Sequence, residues 1–114
     1  MTALVTRERL QAEIDAGTVT VVDALGGSYY AAQHLPGAIP LVEEDVAGQA
    51  SRLLPDLTTP IVTYCSSAAC PNSQRVADRL AMLGYTNIRK YRGGIEDWVA
   101  AGLPTETGTP ALAN

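Results

Sequence analysis

Phenylalanine is missing from this chain altogether. Aromatic residues make up only 5% of it, so a core must be filled mainly by Val, Leu, Ile and Tyr. A single His accompanies two Cys, which leaves no Cys/His cluster of metal-ligand spacing. No metal and no organic cofactor is expected. Two cysteines one loop apart also do not make the disulfide framework of a small secreted domain. Basic residues are in deficit: 8 Lys and Arg stand against 12 Asp and Glu, for a net charge of −4. That balance argues against nucleic acid or an anionic membrane as a main partner. No apolar run approaches the roughly 20 residues of a membrane span. The opening MTALVTRERL lacks a basic region followed by an apolar stretch, so no signal peptide is expected. These absences together predict a cytoplasmic protein. What remains is ordinary for a globular chain: 114 residues, 46% of them hydrophobic and 18% charged, enough for one domain with a real core.

The richest stretch is Pro60 to Gly84, PIVTYCSSAACPNSQRVADRLAMLG. Ile61 to Tyr64 form a β-prone run without clean alternation, the pattern of a strand buried on both faces of a parallel sheet. Ser66 to Asn72 are small, polar and Pro-bearing, and read as a loop. From Ser73, Val76, Ala77, Leu80, Ala81 and Leu83 recur at helical spacing, and Gly84 supplies a stop. Cys65 therefore sits at a strand end, facing a helix N-terminus across a short loop. Unpaired N–H groups there carry partial positive charge and would stabilise a thiolate, lowering its pKa. The same cradle could hold a persulfide or an oxyanion. The alternative is a strand-end cysteine that only packs.

The flanking elements alternate in type. Ala3 to Val5 read as a short edge strand. Thr6 caps a helix running to about Ala16, with Gly17 as its stop. Thr18 to Val22 is a second buried strand ending at Asp23. Asp23 either faces a ligand or, the favoured role, accepts backbone N–H bonds and shapes the turn after it. Ser28 caps a short helix through Gln33. His34 is either a general base or, more commonly for such a residue, a ring that pins a loop. Ala38-Ile39 adds a brief strand, and Leu41 to Leu54 an acidic lead-in to a helix with Val46, Ala50, Leu53 and Leu54 inward. Asn87 to Tyr91 is a further strand, Ile95 to Ala101 a last helix bearing Trp98, and Thr105 to Asn114 a loose tail. Such alternation means an α/β domain with a parallel sheet and right-handed crossovers, its sites at the C-terminal edge of the sheet.

Over about Leu4 to Pro104 the chain resembles the rhodanese-like domain. In VVDALGGSYYAAQHLPGAI, His34 follows the strand-end Asp23 by eleven residues and opens an H-[IL]-P-G-A motif, with Tyr30 where the family prefers an aromatic. IVTYC looks like the strand that delivers the family's cysteine, and YRGGIEDWVAAGLP like its closing signature. The resemblance implies a three-layer αβα domain over residues 1–104, with a five-stranded parallel sheet flanked by helices. It also implies a sulfurtransferase: Cys65 takes a sulfane sulfur, forms a persulfide and passes it to a thiol or cyanide. Ser66, Ser67, Ala68, Ala69, Cys70, Pro71, Asn72 and Ser73 would then form the substrate-binding loop, Ser73 capping the helix and bonding the thiolate. Asp23 and His34 would buttress it, and Arg92 would lend charge at the rim. The expected partners are a small sulfur donor, thiosulfate or a low-molecular-weight persulfide, and a thiol acceptor, with the protein a monomer or weak homodimer.

The loop departs from the family pattern. Many active members carry an Arg at its end, whereas SSAACPN has no basic side chain, and Leu25 stands where an Arg often follows the strand-end Asp. A less charged donor than thiosulfate suits such a loop. Cys70 introduces a second possibility, a resolving thiol that closes a disulfide with Cys65. The rival to the enzyme is a non-catalytic rhodanese-like module that binds a partner or senses redox state through the Cys65/Cys70 loop.

Overall fold

The computed structural model describes residues 2–108. Its strands are β1 (Ala3–Leu4), β2 (Thr20–Asp23), β3 (Ile39–Pro40), β4 (Ile61–Tyr64) and β5 (Ile88–Lys90). Its helices are α1 (Arg7–Ala16), α2 (Gly27–Ala32), α3 (Val46–Leu53), α4 (Asn72–Met82) and α5 (Gly94–Ala100), with a 3-10 turn at Glu43–Asp45. The strands form one five-stranded sheet in the order β1-β5-β4-β2-β3, every neighbouring pair parallel. β4 lies at its centre and is buried from end to end, as its unbroken apolar run predicts.

Alternation along the strands sorts the core into two faces. Val22, Ile61 and Cys65 pack with Val46 and Ala50 of α3 and with Val76 and Leu80 of α4. Val21, Val62 and Tyr64 pack on the other side with Leu10 of α1, Tyr30 of α2 and Trp98 of α5. This is the expected αβα layering, with the period of two along each strand choosing the face. In the absence of Phe, Trp98 and Tyr64 are the largest fully buried side chains.

Several local boundaries differ from expectation. α1 is capped as predicted, the Thr6 side chain accepting from the Arg9 N–H, and Gly17 closes it at φ 71°. The Thr18 N–H then bonds back to the Glu13 carbonyl at 3.0 Å, which holds Thr18 in the helix cap and delays β2 to Thr20. α2 starts at Gly27 without a side-chain cap, because the chain before it is turned by the Asp23 carboxylate instead of by Ser28. Thr105 to Gly108, expected to be loose, lie against the domain. His34 and Glu106 exchange backbone bonds of 2.9 and 2.8 Å as an antiparallel bridge, and the Gly108 N–H donates to the Ala31 carbonyl. Residues 109–114 of the expected tail lie outside the described residues. Among the described residues no helix is long and apolar enough to cross a membrane.

Candidate functional site

Cys65 follows the last residue of β4 and is 1% exposed. The chain then turns over itself: the Cys70 N–H donates to the Ser67 carbonyl at 3.1 Å, and the Ala69 N–H reaches the Ser67 hydroxyl. Pro71 sits in the right-handed helical region and leads directly into α4. Proline is well placed there, since an N–H at that point would find no partner in the helix. Asn72 and Ser73, expected in the loop, therefore belong to the first turn of α4, and the loop proper runs from Ser66 to Pro71. Ser73 does not cap the helix, whose start has no side-chain cap bond. Being buried one turn in, it instead presents its hydroxyl 3.5 Å from the Cys65 sulfur, while its carbonyl accepts from the Thr63 hydroxyl.

The electrostatics of the resting site run against the expected thiolate cradle. The Cys65 thiol donates to the Cys70 carbonyl at 3.3 Å. Burial pushes that thiol up from its ordinary value, and its hydrogen bond with the Cys70 thiol adds to the rise, against Ser73, which lowers it. The neighbouring Cys70 moves the other way. Its partial burial is outweighed by the Cys65 thiol and by the N–H groups of Asn72 and Ser66, so its net direction is down. The turn directs these N–H groups at Cys70 and a carbonyl at Cys65, an arrangement that composition alone does not reveal.

A second helix start braces the loop from the other side. The Ile95 N–H donates to the Cys65 carbonyl at 2.9 Å and the Glu96 N–H to the Ser66 carbonyl at 3.0 Å. Gly94 permits that approach: a Cβ there would stand 2.5 Å from the Cys65 oxygen, and its φ is +69°. These two amides were not expected from the sequence. The signal was the run Gly93-Gly94-Ile95, two glycines opening a helix.

The remaining predicted residues divide. Asp23 is fully buried and accepts three bonds, from the Leu25 N–H at 2.7 Å, the Gly26 N–H at 3.1 Å and the Tyr64 hydroxyl at 2.6 Å. Tyr64 in turn accepts from the Leu35 N–H, so Asp23 ties the turn after β2 to the residue that precedes Cys65. Burial, with the Asp23 charge, pushes the Tyr64 phenol far up, which keeps it a neutral donor. His34 is buried, stacks on Tyr30 at 3.9 Å between centroids and donates from Nδ1 to the Tyr30 carbonyl, leaving Nε2 3.8 Å from Glu106. Its partners are therefore the α2 segment and the extended segment after α5, not the cysteine loop. Arg92 is exposed on the turn before α5 and has no hydrogen bond or ion pair among the described residues. Beside Ser66 lies an open groove of about 310 Å³ lined by Leu25, Tyr29, Ala32, Ile95 and Glu96 among others. No three His, Cys, Asp or Glu side chains gather as metal ligands would among the described residues.

A parallel αβα sheet whose central strand hands a cysteine to a short loop ahead of a helix defines the class of rhodanese-like folds. The chain belongs to that family: the family model described as Rhodanese-like domain matches residues 6–101. Among proteins it is similar to is the HTH-type transcriptional regulator Rv0324 of Mycobacterium tuberculosis, 34% identical over 93% of this chain. The chain spans 46% of that relative's length. Among solved structures, the BH2092 protein of Bacillus halodurans superposes with a TM-score of 0.84 at 26% identity, over 93% of this chain and 77% of that one. A thiosulfate sulfurtransferase of Pseudomonas aeruginosa shares the fold, with a TM-score of 0.76 at 22% identity over 95% of this chain and 21% of that one.

Proposed function

We propose that this chain is a sulfurtransferase carrying sulfane sulfur on Cys65. The observation behind this is the position of Cys65, on a rigid buried strand end with its sulfur at the Ser73 hydroxyl and its carbonyl fixed by α5. The Cys65 thiolate attacks the sulfane sulfur of a donor, forming one S–S bond as the bond to the donor's leaving group breaks. An acceptor thiolate, or cyanide, then takes the outer sulfur and returns the Cys65 thiolate. Cys65 is the nucleophile. The backbone of Ser66 to Pro71 and the first turn of α4 surround the carried sulfur. Asp23 acts as a positioning residue through Tyr64, and Arg92 as a charge at the rim.

The loop and the adjoining groove hold no basic side chain, and the one charged residue of the groove's lining is Glu96. A doubly charged donor such as thiosulfate gains little there, whereas a less charged low-molecular-weight or protein persulfide does not bring two uncompensated negative charges to the site. Intact mass after exposure to each donor tests this reading. One added sulfur mapping to Cys65, absent in Cys65→Ser and acquired faster from a persulfide than from thiosulfate, is the expected result. Normal uptake by Cys65→Ser would refute the assignment.

A second reading draws on the relative named as a transcriptional regulator and on the upward shift of the Cys65 thiol. In it the same loop senses sulfur or oxidant without turning over. Multiple turnovers with an added thiol acceptor favour the enzyme, and a single stoichiometric modification favours the sensor.

A further inference from the structure

We infer that Cys70 is an internal acceptor, which discharges a persulfide on Cys65 as free sulfide and closes a Cys65–Cys70 disulfide. This rests on the proposal that Cys65 carries sulfur, and extends it to the fate of that sulfur.

The loop folds the Cys70 backbone onto the Cys65 thiol. The Cys65 sulfur lies 3.3 Å from the Cys70 carbonyl oxygen, two bonds from the carbon that bears the Cys70 side chain. The tight Ser67–Cys70 turn brings this about by reversing the chain over the strand end. Cys70 is half-buried at the loop surface, whereas Cys65 is enclosed. The Ser66 and Asn72 N–H groups and the Cys65 thiol all favour the ionised form of Cys70. The better nucleophile of the pair is thus the outer one, carried on the residue whose carbonyl the inner thiol already touches. No Arg occupies the loop to clamp an anionic outer sulfur and oppose its departure.

The step balances without an outside oxidant. The Cys70 thiolate attacks Sγ of persulfidated Cys65, and the Cys65 Sγ–outer sulfur bond breaks as the Cys65 Sγ–Cys70 Sγ bond forms. The outer sulfur leaves with the electron pair and takes up the proton that Cys70 has lost, departing as hydrosulfide. The sulfane sulfur is reduced and the two cysteine sulfurs are oxidised. A dithiol reductant, by thiol–disulfide exchange, restores both thiols.

The test is a single turnover with an organic persulfide as donor and no added thiol. Released sulfide is assayed, and the protein is acid-quenched, alkylated and weighed intact. Wild-type protein should release one sulfide per chain and lose two hydrogens, with neither cysteine alkylated. Cys70→Ser and Cys70→Ala should keep one added sulfur on Cys65 and release none. A wild-type chain that keeps the added sulfur with Cys70 still alkylatable would overturn the inference while leaving the sulfurtransferase reading intact. Failure of both Cys70 variants to acquire sulfur, with their circular dichroism unchanged, would overturn that reading as well. Loading of Cys65→Ser but not of the Cys70 variants would reverse the roles and equally overturn the inference.

Discussion

Burial and a facing carbonyl hold the Cys65 thiol protonated, while three donors gather at Cys70, five positions on. Alkylation with iodoacetamide across a pH series should therefore modify Cys70 at lower pH than Cys65, with Cys65 labelled only above the usual cysteine range. Coincident profiles, or Cys65 reacting first, would contradict the directions given by the loop. Sulfur uptake through Cys65 should rise with pH for the same reason. At this scale the sequence pointed to side chains that the fold brings together and left their charge state obscure. Cys65, Cys70 and Ser73 are found from spacing. Whether an N–H or a carbonyl points at a given sulfur depends on the turn from Ser67 to Cys70, which four small or polar residues do not specify. Asp23 and His34 were each open to two roles. Both have the bonds of residues that shape turns, with Asp23 serving three donors and the His34 ring held by Tyr30.

Among the elements, α5 is the one whose contribution exceeds its sequence signal. Its first amides end on the carbonyls of Cys65 and Ser66, and Gly94 makes the contact possible. Gly94→Ala meets two costs at once, a left-handed backbone and a methyl driven into a backbone oxygen. It should lower unfolding free energy by more than about 2 kcal/mol, read from denaturant midpoints, and slow sulfur uptake by moving the loop. Unchanged stability would show that α5 can shift away freely. The helices and strands themselves were legible where pattern and punctuation agreed. The Thr6 cap and Gly17 stop fixed α1, and the apolar run of Ile61 to Tyr64 fixed β4 as a central strand. The start of α4 was less so, because Pro71 continues into the helix while the eye is drawn to Ser73 as a cap.

Among the described residues the layers are tied by few long-range ion pairs, and the most enclosed of these joins α1 to β5, the strand inside the edge strand β1. Glu13 receives Arg89 of β5 at 2.9 Å and Arg9 of its own helix at 2.8 Å. The Arg89 guanidinium, against the opposing effect of burial and with help from Arg9, holds the Glu13 carboxylate at about 2 instead of the usual 4.5. A carboxylate depressed on folding contributes stability that is complete above its unfolded value and is lost as pH falls toward the folded one. The contribution should therefore be full at pH 7 and fade between about 4.5 and 2. Solvent screening limits it to roughly 1 kcal/mol. Comparing Glu13→Gln with wild type by urea unfolding should give a gap that closes across that window, and a gap of constant size would exclude the mechanism. The architecture was legible at this scale from alternation and from the ordered motifs. The pairing of Glu13 with a strand 76 positions away was not, because a charged helix face looks the same whether it meets water or an Arg.

The bridge between His34 and Glu106 bears on where this fold may be cut. A fragment trimmed at Pro104 would keep every helix and every strand of the sheet, and by the usual criteria would pass as the intact unit. It would nonetheless strip the cover from His34, remove the acceptor facing its Nε2, and leave the backbone groups of the segment entering His34-Leu35-Pro36-Gly37 without the partners they have now. The useful boundary for expression, fusion or domain transplantation lies beyond Gly108, in a stretch that reads by composition as dispensable.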